Sequence, residues 1–283
     1  MKCPICDSRN LGFFLRKKQL KFFICSECKV IVQEGFEGKE NSLDYGKETI
    51  LHHYDFPFIS RYIGGGKILA RFKRAQYNAA FLLRHLVRMN YTDGGSADSE
   101  VLDVGGGTGE NLYVLRNTSD FGKTDCVLME RSRIDRAVAG SLYGLNVVAD
   151  FADIAQKKFR IITIHHVLEH IAAPHKFIDT LKVHLADNGL VFLTMPDPFA
   201  WYPRLRKAKW AWFNEDHFIL YSVSACEKLF RQHGFRLLAQ ERYFLEEPFS
   251  RLRCMRMLLS HLVRGRPLPG VLQDGYAQIY QAK

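Results

Sequence analysis

At 283 residues, 47% hydrophobic and 25% charged, the chain suits one large α/β domain with a small appendage and excludes extensive disorder. No apolar run reaches the ~18 residues that cross a bilayer, and Met1-Lys2-Cys3-Pro4 opens no signal-like stretch, so the expectation is a cytoplasmic protein with no membrane insertion. The net charge of +10 permits RNA, anionic lipid or a phosphate-bearing small molecule as partner and selects none. Its clusters (Arg16-Lys17-Lys18, Arg204 to Lys209, Arg251 to Arg266) read first as solvated faces.

Four of the seven cysteines fall in the first 28 residues, as Cys3-Pro4-Ile5-Cys6 and, eighteen residues on, Cys25-Ser26-Glu27-Cys28. Two Cys-x-x-Cys knuckles at this separation place four thiolates around one zinc. Leu11–Leu15 and Lys21–Ile24 alternate as short strands would, which brings the knuckles together as a zinc ribbon. Four sulfur ligands leave no open position, so this zinc, on Cys3, Cys6, Cys25 and Cys28, is structural. Cys126, Cys226 and Cys254 are scattered and read as small buried apolar residues.

Residues 39–66 are irregular, and apolar spacing of three and four predicts an amphipathic helix over Lys67 to Met89. Thr92 to Ser99 reads as a loop. Beyond it, Val101–Val104, Cys126–Met129, Leu145–Val148, Ile161–His165 and Leu190–Thr194 read as buried strands with helical or irregular segments between them. That alternation predicts an α/β fold with a parallel, doubly wound sheet. The expected organisation is a zinc ribbon over 1–38, a linker and helix over 39–98, and an α/β domain over 99–283.

The first of these strands runs into Asp103-Val104-Gly105-Gly106-Gly107-Thr108-Gly109-Glu110. A dinucleotide fingerprint would want its third glycine at 110, where this chain has Glu110. The acid-x-Gly-x-Gly-x-Gly spacing instead resembles motif I of class I S-adenosylmethionine-dependent methyltransferases. Further landmarks follow in order: Glu130 ends the second strand, Asp150-Phe151 the third, and His165-His166-Val167-Leu168-Glu169-His170 the fourth. The resemblance covers about residues 99–196 closely and is similar to small-molecule enzymes of sugar, polysaccharide and natural-product pathways. It implies a seven-stranded, mostly parallel sheet whose last strand, about Tyr276–Tyr280, is antiparallel, after a sixth near Leu237–Phe244. It also implies that Asp103 with Gly105, Gly107 and Gly109 holds the methionine portion of S-adenosylmethionine. Glu130 would take the ribose and Asp150 with Phe151 the adenine, and His165 joins the cofactor-binding set.

All three tryptophans lie between Pro196 and His217, among Phe199, Tyr202 and Phe213, and residues 200–222 are the expected lid over the acceptor. An alcohol acceptor must lose a proton, and His217 and His166 are the candidate catalytic residues for it. A hydrogen-bonded structural histidine is the other reading of each. His166 and His170 also stand four apart, a spacing that binds metal on a helix, with no third ligand evident. The leading function is methylation of a small-molecule acceptor on oxygen, nitrogen or carbon. The alternatives are methylation of a ribosomal RNA guanine, which the basic balance favours, and a non-catalytic binding protein on the same fold.

Overall fold

The two Cys-x-x-Cys knuckles bend alike. Asp7 and Lys29 both take left-handed φ, 56° and 60°, and donate their N–H groups to the carbonyls of Cys3 and Cys25, both at 3.0 Å. Between them β1 (Leu11–Lys17) and β2 (Leu20–Cys25) form an antiparallel hairpin, and β3 (Ile31–Gln33) adds to β2. A computed structural model of the chain describes residues 1–37, 66–89, 91, 101–118, 125–155, 157–243 and 274–282. The expected irregular stretch 39–65, the loop Thr92–Ser99, Cys254, and the cluster Arg251 to Arg266 lie outside the described residues.

Helix α1 (Gly66–Arg88) stands where the three-and-four spacing put it. Then the strands and helices alternate: β4 (Val101–Val104), α2 (Glu110–Thr118), β5 (Cys126–Met129), α3 (Arg133–Tyr143), β6 (Asn146–Val148), β7 (Phe159–His165), α4 (Pro174–Val183) and β8 (Leu185–Pro196). The chain ends in α5 (Trp201–Arg206), β9 (Ile219–Leu220), α6 (Val223–Gln232), β10 (Phe235–Tyr243) and β11 (Gly275–Ala282). Local chemistry sets the helix ends. Ser132 caps α3 by accepting from Asp135 N–H at 3.2 Å, Ser222 caps α6 by accepting from Ala225 N–H at 3.1 Å, and Gly144 closes α3 at φ 58°.

Seven strands form one sheet in the order β10-β11-β8-β7-β4-β5-β6. β11 is antiparallel to both neighbours, and the pairings from β8 to β6 are parallel. Period-2 alternation sends Leu102 and Val104 into one core with Ile178, Leu181 and Leu229. It sends Val101 into the other, with Leu82, Leu112 and Ala139. Helices α1 to α3 thus cover one face, and α4 and α6 the other. The chain leaves β4 first toward β5 and β6 and then returns to β7, so the strand order reverses beside β4. Open α/β sheets take ligands at such a reversal, outside the carboxyl ends of the strands.

The ribbon is not a separate bead. β9, from the segment between α5 and α6, pairs antiparallel with β3 and completes a four-stranded sheet, order β1-β2-β3-β9. Phe22 and Ile31 of the ribbon pack with Trp210, Phe213 and Leu220 in one cluster. Lys17 Nζ donates to the Trp210 carbonyl at 2.9 Å.

Candidate cofactor cleft and histidine cluster

After β4 the chain turns through Gly105, Gly107 and Gly109 at φ 68°, 56° and 92°, a region that only glycine enters without strain. A Cβ on Gly109 would stand 2.5 Å from Leu145, so that residue is glycine for packing as well. A Cβ on Gly107 would meet nothing within 4 Å, so the crest of the loop faces open space with bare backbone. Beneath it Asp103 is fully buried. Its Oδ1 accepts from Thr163 Oγ1 at 2.7 Å, while Oδ2 is buried without a hydrogen-bond partner among the described residues. Burial pushes its carboxyl up to about 7; the Thr163 hydrogen bond opposes this and the charges of Glu130 and Glu110 add to it. Arg71 of α1 reaches the same loop, donating to Thr108 Oγ1 at 3.1 Å and pairing with Glu110 at 3.4 Å.

At the end of β5, Glu130 accepts from Gly107 N–H at 3.0 Å and from Ser132 N–H at 2.8 Å. Burial raises its carboxyl against these two bonds. Asp150 follows β6 and caps the short turn Phe151–Ile154, accepting from Ala152 N–H at 2.8 Å. Phe151 stacks on His184, centroids 5.1 Å apart. These ends line an open cleft together with Gly105, Val167 and Ile171, and Glu130, Asp150 and Phe151 stand in its wall. The cleft is apolar in its walls with carboxylates at its ends, which suits a nucleoside. An orphaned carboxylate oxygen under a bare-backbone crest gives a polar ligand with a cationic group something to meet. The residues present therefore fit S-adenosylmethionine. Gly107 and Gly109 shape the loop beside this cleft. His165 lines a separate recess with Asn78, Asn111 and Thr163. Its Nδ1 lies 3.0 Å from Thr194 Oγ1, and burial takes it down to about 3.

The next turn gathers histidines. His166, at φ 57°, stacks on Trp212 with centroids 5.0 Å apart, and Trp212 stacks in turn on His217 at 5.1 Å. His166 contacts Glu169 Oε1 through Nδ1 at 3.3 Å and the Tyr243 hydroxyl through Nε2 at 3.2 Å. His217 Nδ1 lies 2.6 Å from the Trp212 carbonyl. Burial holds both rings well below the usual histidine range, so both are neutral at pH 7. Glu169 is fully buried, and burial pushes its carboxyl up to about 7. The aromatic run divides: Trp210 and Phe213 are buried in the ribbon seam, and only Trp212 joins the histidines. Trp212 and Glu169 were inside segments the sequence singled out, without an assigned role. Tyr243 and Arg71 carried no signal, because each arrives from a distant part of the chain.

The four N-terminal cysteines converge with their sulfurs all within 4.8 Å of one another. Cys3 and Cys28 lie 3.4 Å apart and Cys6 and Cys25 3.6 Å, too far for a disulfide at ~2.05 Å. Sulfurs at ~2.3 Å from one ion form a tetrahedron with edges near ~3.8 Å, so the set could hold zinc with small adjustment. Cys126 and Cys226 are buried. Among the described residues no helix is long and apolar enough to cross a membrane.

The family model described as "Methyltransferase domain" matches residues 71–240, more than half of the chain. Among solved structures the chain is similar to the plantazolicin methyltransferase BamL in complex with a triazolic desmethylPZN analog and SAH. That similarity has 18% identity and TM-score 0.54, over 83% of this chain and 93% of that one. It is also similar to the magnesium protoporphyrin IX methyltransferase ChlM from Synechocystis PCC 6803 with bound SAH, at 12% identity and TM-score 0.53, over 84% of this chain and 100% of that one. At these identities the likeness is one of fold. No curated protein matches the sequence.

Proposed function

The chain belongs to the methyltransferase-domain family, and on that premise we propose that it methylates a small-molecule acceptor on oxygen, nitrogen or carbon. The acceptor class is that of a sugar or natural-product-like metabolite. What supports the reading is that His166, Trp212 and His217 are stacked and largely buried beside the turn that lines the cleft. A neutral, desolvated, aromatic-walled site suits a compact acceptor better than a polyphosphate chain.

Bound S-adenosylmethionine supplies a methyl group already activated on a sulfonium, so the protein's task is alignment and exclusion of water. In this reading the Gly105–Gly109 loop and Asp103 hold the methionine portion. Glu130 turns from its backbone donors to the ribose hydroxyls, and Asp150 and Phe151 bracket the adenine. His166 is oriented by Glu169 and Tyr243. His217, with Nδ1–H committed to the Trp212 carbonyl, keeps an Nε2 lone pair for a proton donor or a Lewis acid. Trp212 between the two rings fixes their spacing, and segment 200–222 closes the acceptor side. Cys3, Cys6, Cys25 and Cys28 hold a structural zinc that keeps β3 in register with β9.

The second reading, an RNA acceptor, rests on Arg204, Arg206, Lys207 and Lys209, all exposed on α5 and the turn after it. One experiment separates the two: methyl transfer from labelled cofactor to a metabolite extract and to ribosomal RNA, alongside mobility shift at two salt concentrations. The expected result is label in small molecules and weak RNA binding. Labelled RNA together with affinity falling about a thousandfold between low and physiological salt, as for roughly six phosphate contacts, would overturn the small-molecule reading.

A further inference from the structure

Three ligand-bearing side chains outside the cysteine cluster converge on one point. Glu169 and His170 sit on the short turn Leu168–His170 after β7, and His217 stands two residues before β9. The two segments are tied by Phe218 N–H donating to the Glu169 carbonyl at 2.9 Å. One ligand atom from each of Glu169, His170 and His217 lies within 4.8 Å of the others. From this juxtaposition we propose a second metal site, a two-histidine, one-carboxylate centre for a divalent first-row transition-metal ion.

The hydrogen bonds around the cluster favour this over simple packing. His170 Nδ1 lies 2.8 Å from the Asp216 carbonyl and His217 Nδ1 2.6 Å from the Trp212 carbonyl. A carbonyl only accepts, so each Nδ1 carries the hydrogen, and in the neutral ring Nε2 is the nitrogen left with a lone pair. Metal-bound histidines are held in this way, with the far nitrogen donating to a backbone oxygen that fixes ring orientation and tautomer. The two rings meet edge to face, with centroids 4.7 Å apart at 68°. Glu169 is the independent second observation. Its side chain is fully buried, its Oε1 touches His166, and its Oε2 is buried with no hydrogen-bond partner among the described residues. A buried carboxylate oxygen without a donor is costly, and a cation beside two imidazole lone pairs removes that cost.

The donor set selects the ion class. Imidazole nitrogens suit Zn²⁺, Fe²⁺, Co²⁺ or Ni²⁺ rather than Mg²⁺ or Ca²⁺, which take oxygen ligands. Three protein ligands leave a coordination position open, unlike the four-sulfur ribbon site. The turn bearing Glu169 and His170 is bracketed by Val167 and Ile171, both lining the cofactor cleft. An open position there would take an oxygen or nitrogen of the acceptor; that role, unlike the binding itself, rests on the methyl-transfer reading. The helical His166/His170 pair suggested by spacing is not the arrangement found. The segment is a three-residue turn, and His166 turns to Glu169 and Tyr243 while His170 meets His217.

The test is metal loading of the whole protein with Co²⁺, read by element analysis and by visible absorption. Wild type is expected to bind two equivalents, one with the intense sulfur-to-metal charge-transfer bands of a four-thiolate site and one with weak nitrogen/oxygen-type bands only. His170→Ala, at the most exposed of the three ligands, should lose the second equivalent and its weak bands while the thiolate bands persist. Should His170→Ala fail to fold, competition of wild type by a chelator decides: two release phases with separate spectra support the site. A single equivalent with thiolate bands only overturns it. Calorimetry with S-adenosylhomocysteine on the same samples distinguishes this failure from failure of the methyltransferase reading, since cofactor binding needs none of the three ligands.

Discussion

Val32 of the ribbon and Ile219 of the methyltransferase domain are antiparallel partners across a seam that carries both the zinc knuckles and His217. Gln33 N–H donates to the Phe218 carbonyl at 2.9 Å, and Phe218 N–H donates to the Glu169 carbonyl at 2.9 Å, so one backbone path links β3 to the histidine turn. Removal of the zinc proposed for the four cysteines should therefore be felt beyond the ribbon. Cys28→Ser, or strong chelation, is expected to lower the melting temperature of the main transition, as loss of a structural zinc removes folding free energy. Calorimetric scans check this. A main transition at unchanged temperature with zinc demonstrably gone would refute the coupling.

Trp210 and Trp212, two residues apart, should separate stability from turnover. Trp210 is 1% exposed in the seam, so Trp210→Ala is expected to cost about 3–5 kcal/mol in urea unfolding. Trp212→Ala removes the ring between His166 and His217 and should lower kcat by roughly ten- to a hundredfold through misalignment, with S-adenosylhomocysteine affinity nearly intact. Equal effects of both on stability, with none on kcat, would remove Trp212 from the acceptor site.

Gly107→Ala tests the loop crest. The new methyl group has free space, so the folded protein pays only for left-handed φ, about 1–2 kcal/mol. Cofactor affinity should fall much further, because the backbone there must approach the ligand, and Glu130→Ala should weaken it by about 1.5–3 kcal/mol through lost charged hydrogen bonds. Calorimetric titration measures both. Undiminished binding in Gly107→Ala would place the cofactor elsewhere.

The pH dependence of the cofactor-free protein should carry the mark of Asp103. Its folded carboxyl stands at about 7, above the ordinary 3.8, so ionisation opposes folding. That penalty is absent below about pH 4, grows between about 4 and 7, and is complete above about 7, reaching at most about 4 kcal/mol. Stability should thus fall as pH rises through this window. Asp103→Asn should flatten part of the fall while weakening S-adenosylhomocysteine binding. Identical pH profiles for wild type and Asp103→Asn would contradict the buried, donor-poor carboxyl.

Period and punctuation in the sequence were enough for the strand order's raw material: Val101–Val104 and Cys126–Met129 have the bounds the sequence indicated. The 23-residue helix α1 was equally legible from its three-and-four spacing. These signals are local, because burial on one face imposes a repeat and a tight glycine turn imposes a spacing. The paired knuckles were legible for the same reason, since four cysteines that must converge keep fixed separations. Two inner strands ran longer than the apolar pattern suggested, with β7 starting at Phe159 and β8 at Leu185, because paired backbone extends past the apolar run. What tertiary structure alone decided is which distant pieces meet. The aromatic run 199–213 reads as one unit in the chain, yet Trp210 is buried in the ribbon seam while Trp212 lies at that seam's margin and stacks on His166. Glu169 and His170 find His217, not His166, as their partner in the ligand cluster. No local period encodes such meetings. They follow from where the seven-stranded sheet and the β3–β9 seam place each turn, and that placement is settled by packing across the whole chain.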